Sequence, residues 1–223
     1  IELDQILLAI PYLKGKKRKE KIEKLKNYRI PLLSIPSIEQ LVSGQAKIES
    51  LKPISINDLL GRDTVEADKN LIGPRVNGKV ILITGAGGSI GSELCRQIYN
   101  LNPKKLILFD MNESSLYSVN NYLTGLGDKF PIITILGNAC NLTLLTRTFL
   151  DNKVDVIFHA AAYKHVPLVE NNPIEGVSNN IISTLNICKA AERSEVQNIV
   201  FISSDKAVRP TNIMGASKRL SEL

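Results

Sequence analysis

Short apolar runs alternate with amphipathic stretches along most of this sequence. Five runs after residue 77 are almost wholly apolar and predict strands, at 79–83, 105–109, 131–136, 154–158 and 198–202. The stretches between them have apolar residues at helical spacing and predict helices, at 89–99, 113–124, 141–151, about 174–193 and from about 212. Buried strands that alternate with helices are typical of a parallel sheet covered on both faces. We therefore expect a doubly wound, Rossmann-like α/β domain over residues 77–223.

The first 52 residues show a shorter alternation of the same kind. Apolar runs predict strands at 5–10 and 29–35, and a basic stretch predicts a helix at 14–27. Ser37 is a candidate N-cap for a short helix at 37–43. We interpret residues 1–52 as the C-terminal part of a preceding α/β domain.

Residues 53–76 are of mixed polarity and contain two prolines and two glycines, which predicts a connector with a short turn at 57–62. The sequence starts at Ile1, close to a predicted strand, and stops at Leu223, inside a predicted helix. We therefore expect a fragment of a longer protein.

The formal net charge is +6, from 28 Lys and Arg against 22 Asp and Glu. All of this excess lies in residues 14–26, which hold eight basic and two acidic side chains. Glu20 has lysines four positions before and after it, as is typical of a solvent-exposed helix face. We therefore favour a solvated helix and expect no nucleic-acid partner. Contact with anionic lipid is the alternative that ranks next.

The composition gives no sign of a membrane span, a disulfide framework or a metal site. No apolar stretch approaches the roughly 18 residues that cross a bilayer. The three cysteines, Cys95, Cys140 and Cys188, are far apart and set in apolar patterns, and only two histidines are present. We expect reduced core cysteines in a cytoplasmic setting and no bound metal.

Residues 84–91, Thr-Gly-Ala-Gly-Gly-Ser-Ile-Gly, join the strand at 79–83 to the helix at 89–99. In this context the first glycine permits a tight turn, the middle ones let backbone N–H groups approach a pyrophosphate, and the last lets the helix pack closely on the strand. The start of the helix adds unpaired N–H groups that attract phosphate. An ordinary glycine-rich turn is the alternative. The predicted cofactor contacts here are Gly85, Gly87, Gly88, Ser89, Ile90 and Gly91.

Further candidates follow the ends of later strands, where such sheets bind their ligands. Asp110 comes about 20 residues after Gly91, where a carboxylate binds the adenosine ribose 2′-OH and repels a 2′-phosphate, so we favour NAD over NADP. A turn or N-cap role is the alternative for Asp110. Asn138 and Ala139 lie where adenine would bind, and Asn141 suits the N-cap of the next helix.

Residues 159–167, His-Ala-Ala-Ala-Tyr-Lys-His-Val-Pro, follow the fourth strand. Their three alanines, Ala160, Ala161 and Ala162, are small enough to let a cofactor press against the backbone. We expect His159 to serve packing and a local hydrogen bond. Lys164 and His165 are candidates to reach toward a substrate.

Together these motifs resemble a known family. The glycine turn, residues 159–167, Ser204-Asp205-Lys206 and the Met214-to-Lys218 spacing are similar to those of extended short-chain dehydrogenases/reductases. They are most similar to the large membrane-associated UDP-N-acetylglucosamine 4,6-dehydratases of capsule and O-antigen biosynthesis. The resemblance covers residues 53–223, and residues 1–52 resemble the end of the nucleotide-binding-like domain that precedes the catalytic domain in those proteins.

This resemblance implies NAD as cofactor, a UDP-sugar substrate and a homo-oligomer. It also implies a membrane-anchored parent protein at the cytoplasmic face of the bacterial inner membrane, with this segment itself soluble. The family binds much of its nucleotide sugar beyond the position of Lys218. We therefore expect this segment alone to bind NAD weakly and to turn over little or no substrate.

One position departs from the superfamily pattern. Met214 stands four residues before Lys218, where a tyrosine usually takes the alcohol proton, and a thioether cannot exchange a proton. Some of the large dehydratases resembled here have the same methionine, so we interpret it as a subfamily feature. Lys218 keeps an expected place on the nicotinamide ribose, with an exposed helix lysine as the alternative.

The family's reaction has three parts: hydride leaves sugar C4 for NAD, water is lost across C5 and C6, and hydride returns to C6. Asp205 would be the acid at the C6 hydroxyl. Lys206 would be the base at C5, its pKa lowered by partial burial beside Lys218 and NAD⁺. Ser204 would bind the C4 oxygen, and Asp205 or a water would accept the C4 proton.

These roles require the Asp205 and Lys206 side chains to share a pocket with the nicotinamide ring. A simple loop turn is the alternative for Ser-Asp-Lys. Asn180, on the long helix with Thr184, is expected to support the backbone of the site and is a further candidate substrate contact.

Two other functions remain open from the sequence. A UDP-sugar epimerase of the same superfamily would oxidise and re-reduce C4 without losing water. A non-catalytic NAD-binding scaffold is suggested by the missing tyrosine. The adjacent acid and base favour the dehydratase over both.

Overall fold

The computed structural model describes residues 4–10, 15–26, 28, 30–35, 52–53 and 68–223. The chain divides into two compact units, Ile1–Ala67 and Asp68–Leu223. The predicted helix at 37–43 and the predicted turn at 57–62 lie outside the described residues. The assignment of residues 1–52, 53–76 and 77–223 to a preceding domain, a connector and a catalytic domain stays a prediction.

The first unit contains a small sheet and a basic helix. Its elements are β1 (Ile6–Leu8), α1 (Gly15–Lys26), β2 (Leu32–Ser34) and β3 (Lys52–Pro53). Strand β2 pairs parallel with β1 and antiparallel with β3, in the order β1-β2-β3. Both predicted strands are present but shorter than expected.

The second unit is built on five parallel strands. They are β4 (Val80–Thr84), β5 (Lys105–Asp110), β6 (Ile132–Leu136), β7 (Val156–His159) and β8 (Asn198–Phe201). Their order across the sheet is β6-β5-β4-β7-β8, and every neighbouring pair is parallel. The chain order reverses direction beside β4, which is the position where doubly wound sheets bind ligands. The predicted fold class is confirmed.

Helices connect these strands and cover both faces of the sheet. Those before β7 are α2 (Lys69–Val76), α3 (Ser89–Tyr99), α4 (Glu113–Thr124) and α5 (Leu142–Asn152). Those after it are α6 (Val166–Asn171), α7 (Pro173–Val177), a π-helical segment (Ser178–Ile182), α8 (Ser183–Glu192) and α9 (Ile213–Glu222).

Alternate residues of the strands enter two separate cores. Ile81, Ile83 and Leu108 pack with Cys95 and Leu123 on one face. The other face buries a second set, which is Leu82, Ile107, Ile157, Leu145, Phe149 and Ile187. Each fully buried Leu or Ile contributes roughly 1.5–3 kcal/mol, so the apolar runs that predicted the strands also stabilise them.

In the first unit, β3 was not predicted, and the second unit differs from the predicted elements in three places. Residues 69–76, predicted as connector, form α2 because Ile72 and Val76 lie one helical turn apart and pack on the core. Helix α6 was not predicted. The predicted helix at 174–193 is interrupted by the π-helical segment, where the Asn180 side chain bonds two other segments. Single π turns inside helices are frequent at functional sites.

The cysteines follow the prediction only in part. All three are free, as expected, but only Cys95 is buried, whereas Cys140 is half-buried and Cys188 is exposed. Burial raises the pKa of the Cys95 thiol to about 12, which keeps it protonated and unreactive. Cys188 is thus not a core residue, because its position on α8 faces outward.

Candidate functional site

A cleft of about 210 Å³ opens at the carboxyl ends of β4, β5, β6 and β7. Nine predicted cofactor residues line it: Gly85, Gly87, Gly88, Asp110, Asn138, Ala139, Ala160, Ala161 and Ala162. The remaining lining residues were not predicted as site residues: Phe109, Met111, Asn112, Ser115, Gly137, Tyr163 and Asn179. Most of these flank predicted positions at strand ends, which is the signal that could have found them.

The glycine turn has no room for side chains. Gly85 has φ +66, and a Cβ there would lie 2.7 Å from the backbone nitrogen of Ala161. A Cβ on Gly91 would overlap the carbonyl oxygen of Gly85, so the helix packs on the turn through bare backbone. Gly88 is the N-cap of α3, and no side chain caps the helix. The first N–H groups of α3 therefore remain available to an anion.

Asp110 is held at the end of β5 by two backbone groups. Its Oδ2 accepts the N–H of Gly87 at 2.8 Å, and its Oδ1 accepts the N–H of Asn112 at 2.9 Å. The N-cap of α4 is Asn112, which accepts the N–H of Ser115. The N-cap alternative for Asp110 is therefore wrong, whereas the turn alternative is confirmed by the bond to the N–H of Asn112. Both bonds fix the carboxylate at the rim of the cleft.

The end of β6 supplies the next wall of the cleft. Asn138 is exposed and its Oδ1 accepts the N–H of Cys140 at 2.8 Å, whereas Ala139 is buried. Asn141 caps α5 by accepting the N–H of Leu144 at 3.0 Å, which confirms the role predicted for it. No lysine or arginine is among the described residues that line the cleft. That absence disfavours a 2′-phosphate next to Asp110.

His159 is connected to the three-alanine segment through Thr84. It is buried, with Nδ1 2.7 Å from Thr84 Oγ1 and Nε2 3.2 Å from Thr184 Oγ1. Thr84 Oγ1 also accepts the N–H of Ala161 at 3.3 Å. Burial, aided by the charge of Lys218, lowers the pKa of His159 to about 3, so the ring is neutral. The predicted packing role of His159 is confirmed.

Lys164 and His165 do not meet at one substrate position. The Nζ of Lys164 donates to Ser89 Oγ at 3.0 Å, which places its charge at the first turn of α3 beside the phosphate-binding backbone. His165 is exposed and stands at the start of α6 without a side-chain cap. The bond to Ser89 places Lys164 on the cofactor side of the site. The predicted substrate contacts of Lys164 and His165 stay predictions.

Asn180 ties three segments together. Its Oδ1 accepts the N–H of Tyr163 at 2.8 Å, and its Nδ2 donates to the carbonyl of Tyr163 at 3.1 Å and to Ser217 Oγ at 2.9 Å. Asn180 is buried, so these bonds fix the cleft segment relative to α9. The predicted supporting role is confirmed. All of its side-chain atoms are used in this way, which leaves the predicted substrate contact without support.

Asp205–Ala207 form a 3₁₀ turn after β8, and Ser204 is its N-cap. Ser204 Oγ donates to Asp205 Oδ1 at 3.1 Å, and Lys206 Nζ lies 3.3 Å from the same oxygen. The Lys206 and Ser204 hydrogen bonds hold the pKa of Asp205 below its usual range. The carboxylate is 88% exposed and the lysine side chain 48% exposed.

This geometry corrects one expectation about the pair. The predicted burial of Lys206 beside Lys218 is wrong, because its ammonium turns outward to Asp205. Neither Asp205 nor Lys206 lines the cleft, and Lys218 does not line it either, so the pocket that the pair would share with the nicotinamide ring stays a prediction.

Lys218 is the desolvated lysine of the site. It is buried on α9, with Nζ donating to the carbonyl of Ile202 at 3.0 Å and lying 4.5 Å from the centre of the Phe201 ring. Burial lowers its pKa to about 8. The exposed-lysine alternative is therefore wrong. Met214, one turn earlier, is buried as well and presents no proton-exchanging group.

The cleft fits the adenosine and pyrophosphate part of NAD. A glycine turn without space for Cβ atoms, an uncapped helix start and a fixed carboxylate are the three features by which such sheets bind dinucleotides.

In the described part of the chain, no three His, Cys, Asp or Glu side chains are grouped as metal ligands are. No described helix is both long and apolar enough to cross a bilayer.

Known proteins are similar to this chain in sequence and in fold. The family model described as "Polysaccharide biosynthesis protein" matches residues 81–223. The chain is 42% identical over 223 residues to the capsular polysaccharide biosynthesis protein CapD of Staphylococcus aureus, covering 99% of this chain and 37% of that protein. It is 33% identical over 147 residues to a UDP-N-acetylglucosamine 4,6-dehydratase (inverting) of Campylobacter jejuni. That match covers 66% of this chain and 42% of that protein.

Similarity also extends to epimerases and to solved structures. A UDP-glucose 4-epimerase of Rickettsia bellii is 36% identical over 148 residues, covering 65% of this chain and 42% of that protein. The X-ray structure of Pen from Bacillus thuringiensis superposes with a TM-score of 0.62 at 32% identity, covering 66% of this chain and 46% of that one. The chain thus spans about two fifths of the length of these curated relatives. It belongs to the polysaccharide biosynthesis protein family, among the extended short-chain dehydrogenases/reductases.

Proposed function

We propose that this chain is the NAD-binding and catalytic-loop part of a nucleotide-sugar 4,6-dehydratase that acts on UDP-N-acetylglucosamine. The observation that carries the proposal is the cluster after β8. A buried lysine, Lys218, lies beside the strand end that also presents an adjacent carboxylate and ammonium, Asp205 and Lys206. Oxidation at a sugar carbon needs the first of these features, and elimination of water needs the other two.

The cofactor half of the site rests on the cleft. Asp110 would hold the adenosine ribose, the turn at Gly85–Gly91 the pyrophosphate, and Ala160–Ala162 the flat face of the cofactor. Lys164, placed next to Ser89, adds a positive charge beside that pyrophosphate. NAD, when bound, accepts a hydride from sugar C4 and later returns one to C6.

Lys218 supports the cofactor end of the reaction. Its ammonium is buried, and a hydrogen bond to the carbonyl of Ile202 fixes its position. A positive charge held there without bulk water stabilises negative charge that develops on a bound sugar oxygen more strongly than an exposed lysine would. Met214 cannot take the C4 proton. Because Asp205 receives its proton from Lys206 in the elimination step, the proposal assigns the C4 proton to a water bound near Ser204.

The exposed ion pair is set up for elimination once a sugar covers it. Asp205 and Lys206 form a solvent-exposed ion pair. A sugar that covers the pair and excludes water penalises both charges, which favours proton transfer from the ammonium to the carboxylate. The transfer yields a neutral amine to take the C5 proton and a neutral acid to protonate the departing C6 hydroxyl.

An epimerase of the same superfamily is the second candidate, favoured by the similarity to a UDP-glucose 4-epimerase. It would use Lys218 and NAD in the same way but would need neither Asp205 nor Lys206. A silent NAD-binding scaffold would need none of the three. The Asp205–Lys206 pair is what favours the dehydratase over both.

Product analysis tests the proposal. The full-length protein containing this sequence is incubated with NAD and UDP-N-acetylglucosamine, and the product is examined by mass spectrometry. A product lighter by one water supports the dehydratase, whereas a C4 epimer of unchanged mass supports the epimerase. Asp205→Asn and Lys206→Ala should abolish water loss, and the exposed Lys189→Ala on α8 should not.

A further inference from the structure

One flank of helix α1 carries a row of lysines. Lys17, Lys21 and Lys24 stand at positions i, i+4 and i+7, so the helical repeat places them in one stripe. All three are exposed, and none forms an ion pair within the described part of the chain. Tyr28, just beyond the helix, continues the same spacing and is 68% exposed. We call these four residues the lysine stripe.

The acidic residues of α1 lie away from the middle of the stripe. Glu23 is on the opposite flank and pairs with Lys19 at 3.8 Å. Glu20 borders the stripe on the outermost line of the helix. The lysine stripe therefore holds three positive charges and no acid, whereas the opposite flank mixes lysines with Glu23.

The orientation of the stripe is fixed by the other side of the helix. Ile22 is completely buried. Arg18 donates to Ser34 Oγ at 2.7 Å and to the carbonyl of Ile10 at 3.1 Å. These contacts bind α1 to β2 and to the chain after β1. The lysine stripe consequently faces outward as a fixed surface.

We propose that the lysine stripe binds the anionic surface of a lipid bilayer. From Lys17 to Lys24 the helix rises about 10 Å, enough to meet more than one lipid headgroup. Each lysine near an anionic membrane strengthens binding about fivefold, so the three together supply roughly 100-fold. A tyrosine at the end of the stripe suits the headgroup layer, where its ring and hydroxyl are both accommodated.

A planar surface fits the charge distribution better than a nucleic-acid groove does. A bilayer touches one flank of the helix and leaves Glu23 in water. A groove encloses a helix on several sides and would bring both Glu20 and Glu23 against phosphates.

Vesicle co-sedimentation of the 223-residue chain tests the inference. Vesicles of phosphatidylcholine with about 30% phosphatidylglycerol are compared with pure phosphatidylcholine at low salt. The chain should sediment with the anionic vesicles only, and binding should fall steeply as salt is raised. Lys17→Gln/Lys21→Gln/Lys24→Gln should weaken binding by roughly 100-fold. The matched control Lys104→Gln/Lys153→Gln/Lys189→Gln removes the same charge from exposed sites of the other unit and should bind like the original chain.

Several results would overturn the inference. Equal binding to neutral vesicles, or equal weakening by both triple variants, would show that the stripe is not the contact. Tight binding of a duplex or single-stranded oligonucleotide that depends on the stripe, with no vesicle binding, would assign it to nucleic acid instead. Circular dichroism of each variant confirms folding, and the salt series on the unaltered chain provides a readout that needs no substitution.

Discussion

The Oδ2 of Asp110 lies 2.8 Å from the backbone nitrogen of Gly87, which joins the proposed ribose-binding carboxylate directly to the phosphate-binding turn. This side-chain hydrogen bond joins the end of β5 to the glycine turn, next to the backbone bond from the N–H of Ala86 to the carbonyl of Phe109. A change at Asp110 should affect the glycine turn as well as the ribose contact.

Asp110→Ala should weaken NAD binding by at least about tenfold. The variant loses a charge-assisted bond to the ribose and releases the N–H groups of Gly87 and Asn112. Calorimetric titration of the chain with NAD measures the effect. Asp151→Asn, which breaks only an exposed pair with Arg147, is the control and should keep the original affinity. An unchanged affinity in Asp110→Ala would remove this residue from the site.

Gly91→Ala should lower the free energy of unfolding by roughly 1–3 kcal/mol. The added Cβ would overlap the carbonyl oxygen of Gly85, and both groups belong to a tightly packed turn. Gly73→Ala in α2 adds the same methyl group where nothing lies within 4 Å and should stay within about 1 kcal/mol of the original. Urea denaturation of both variants makes the comparison. Equal stabilities would show that the turn has more space than its backbone positions indicate.

The buried His159 should make the protein less stable in mild acid. Its pKa is about 3 in the folded state, below the value of about 6.5 for an unfolded histidine. Between these values the unfolded state binds the additional proton, so the free energy of unfolding falls as the pH falls. From pH 6.5 to 5 the loss should be roughly 1.5 kcal/mol.

The two histidines of the chain provide the matched test. His159→Asn should flatten the pH dependence of stability between pH 6.5 and 5. His165→Asn, at an exposed position, should leave it intact. Urea denaturation at several pH values gives the slopes. The same slope in both variants would mean that His159 is protonated in the folded state.

Lys218→Met should leave the stability at pH 7 unchanged or raised while removing turnover in the full-length protein. The substitution replaces a buried ammonium by an apolar chain of similar length. Because burial lowers the pKa of Lys218 to about 8, the unfolded state binds more protons above that pH. The free energy of unfolding should therefore rise from pH 8 to 9 in the original chain and not in the variant.

Lys189→Met, at an exposed position on α8, is the control for that pair of measurements. It should keep both the turnover and the rise in stability above pH 8. A large loss of stability at pH 7 in Lys218→Met would indicate that the ammonium stabilises the fold through its bond to Ile202.

The apolar runs were sufficient to predict the three central strands, β4, β5 and β7, because these strands are buried on both faces. Ile81, Leu82 and Ile83 are all completely buried, so an unbroken apolar run identified the strand. The glycine turn was equally visible, since Gly85 and Gly91 occupy positions where the backbone admits no side chain. The positions of Asp110 and the alanines followed from their place at strand ends.

The details that were missed depend on side-chain contacts between distant segments. The π-helical segment arises where Asn180 bonds Tyr163 and Ser217, and no local pattern reports such bonds. The bond from Lys164 to Ser89 joins the segment after β7 to the segment after β4, which are 75 residues apart in the sequence. Adjacent lysine and aspartate residues can pair with each other as easily as face a ligand, so the sequence could not reveal that Lys206 turns to Asp205 while Lys218 is the buried lysine.

Solvent exchange at sugar C5 tests the dehydratase most directly. The full-length protein containing this sequence is incubated with NAD and UDP-N-acetylglucosamine in D₂O, and the product is examined by NMR. Elimination removes the C5 proton to Lys206 and replaces it from solvent, so the predicted product is a 4-keto-6-deoxy sugar with deuterium at C5, absent with Lys206→Ala. A 4-epimer that retains its C5 proton would contradict the account and establish epimerisation.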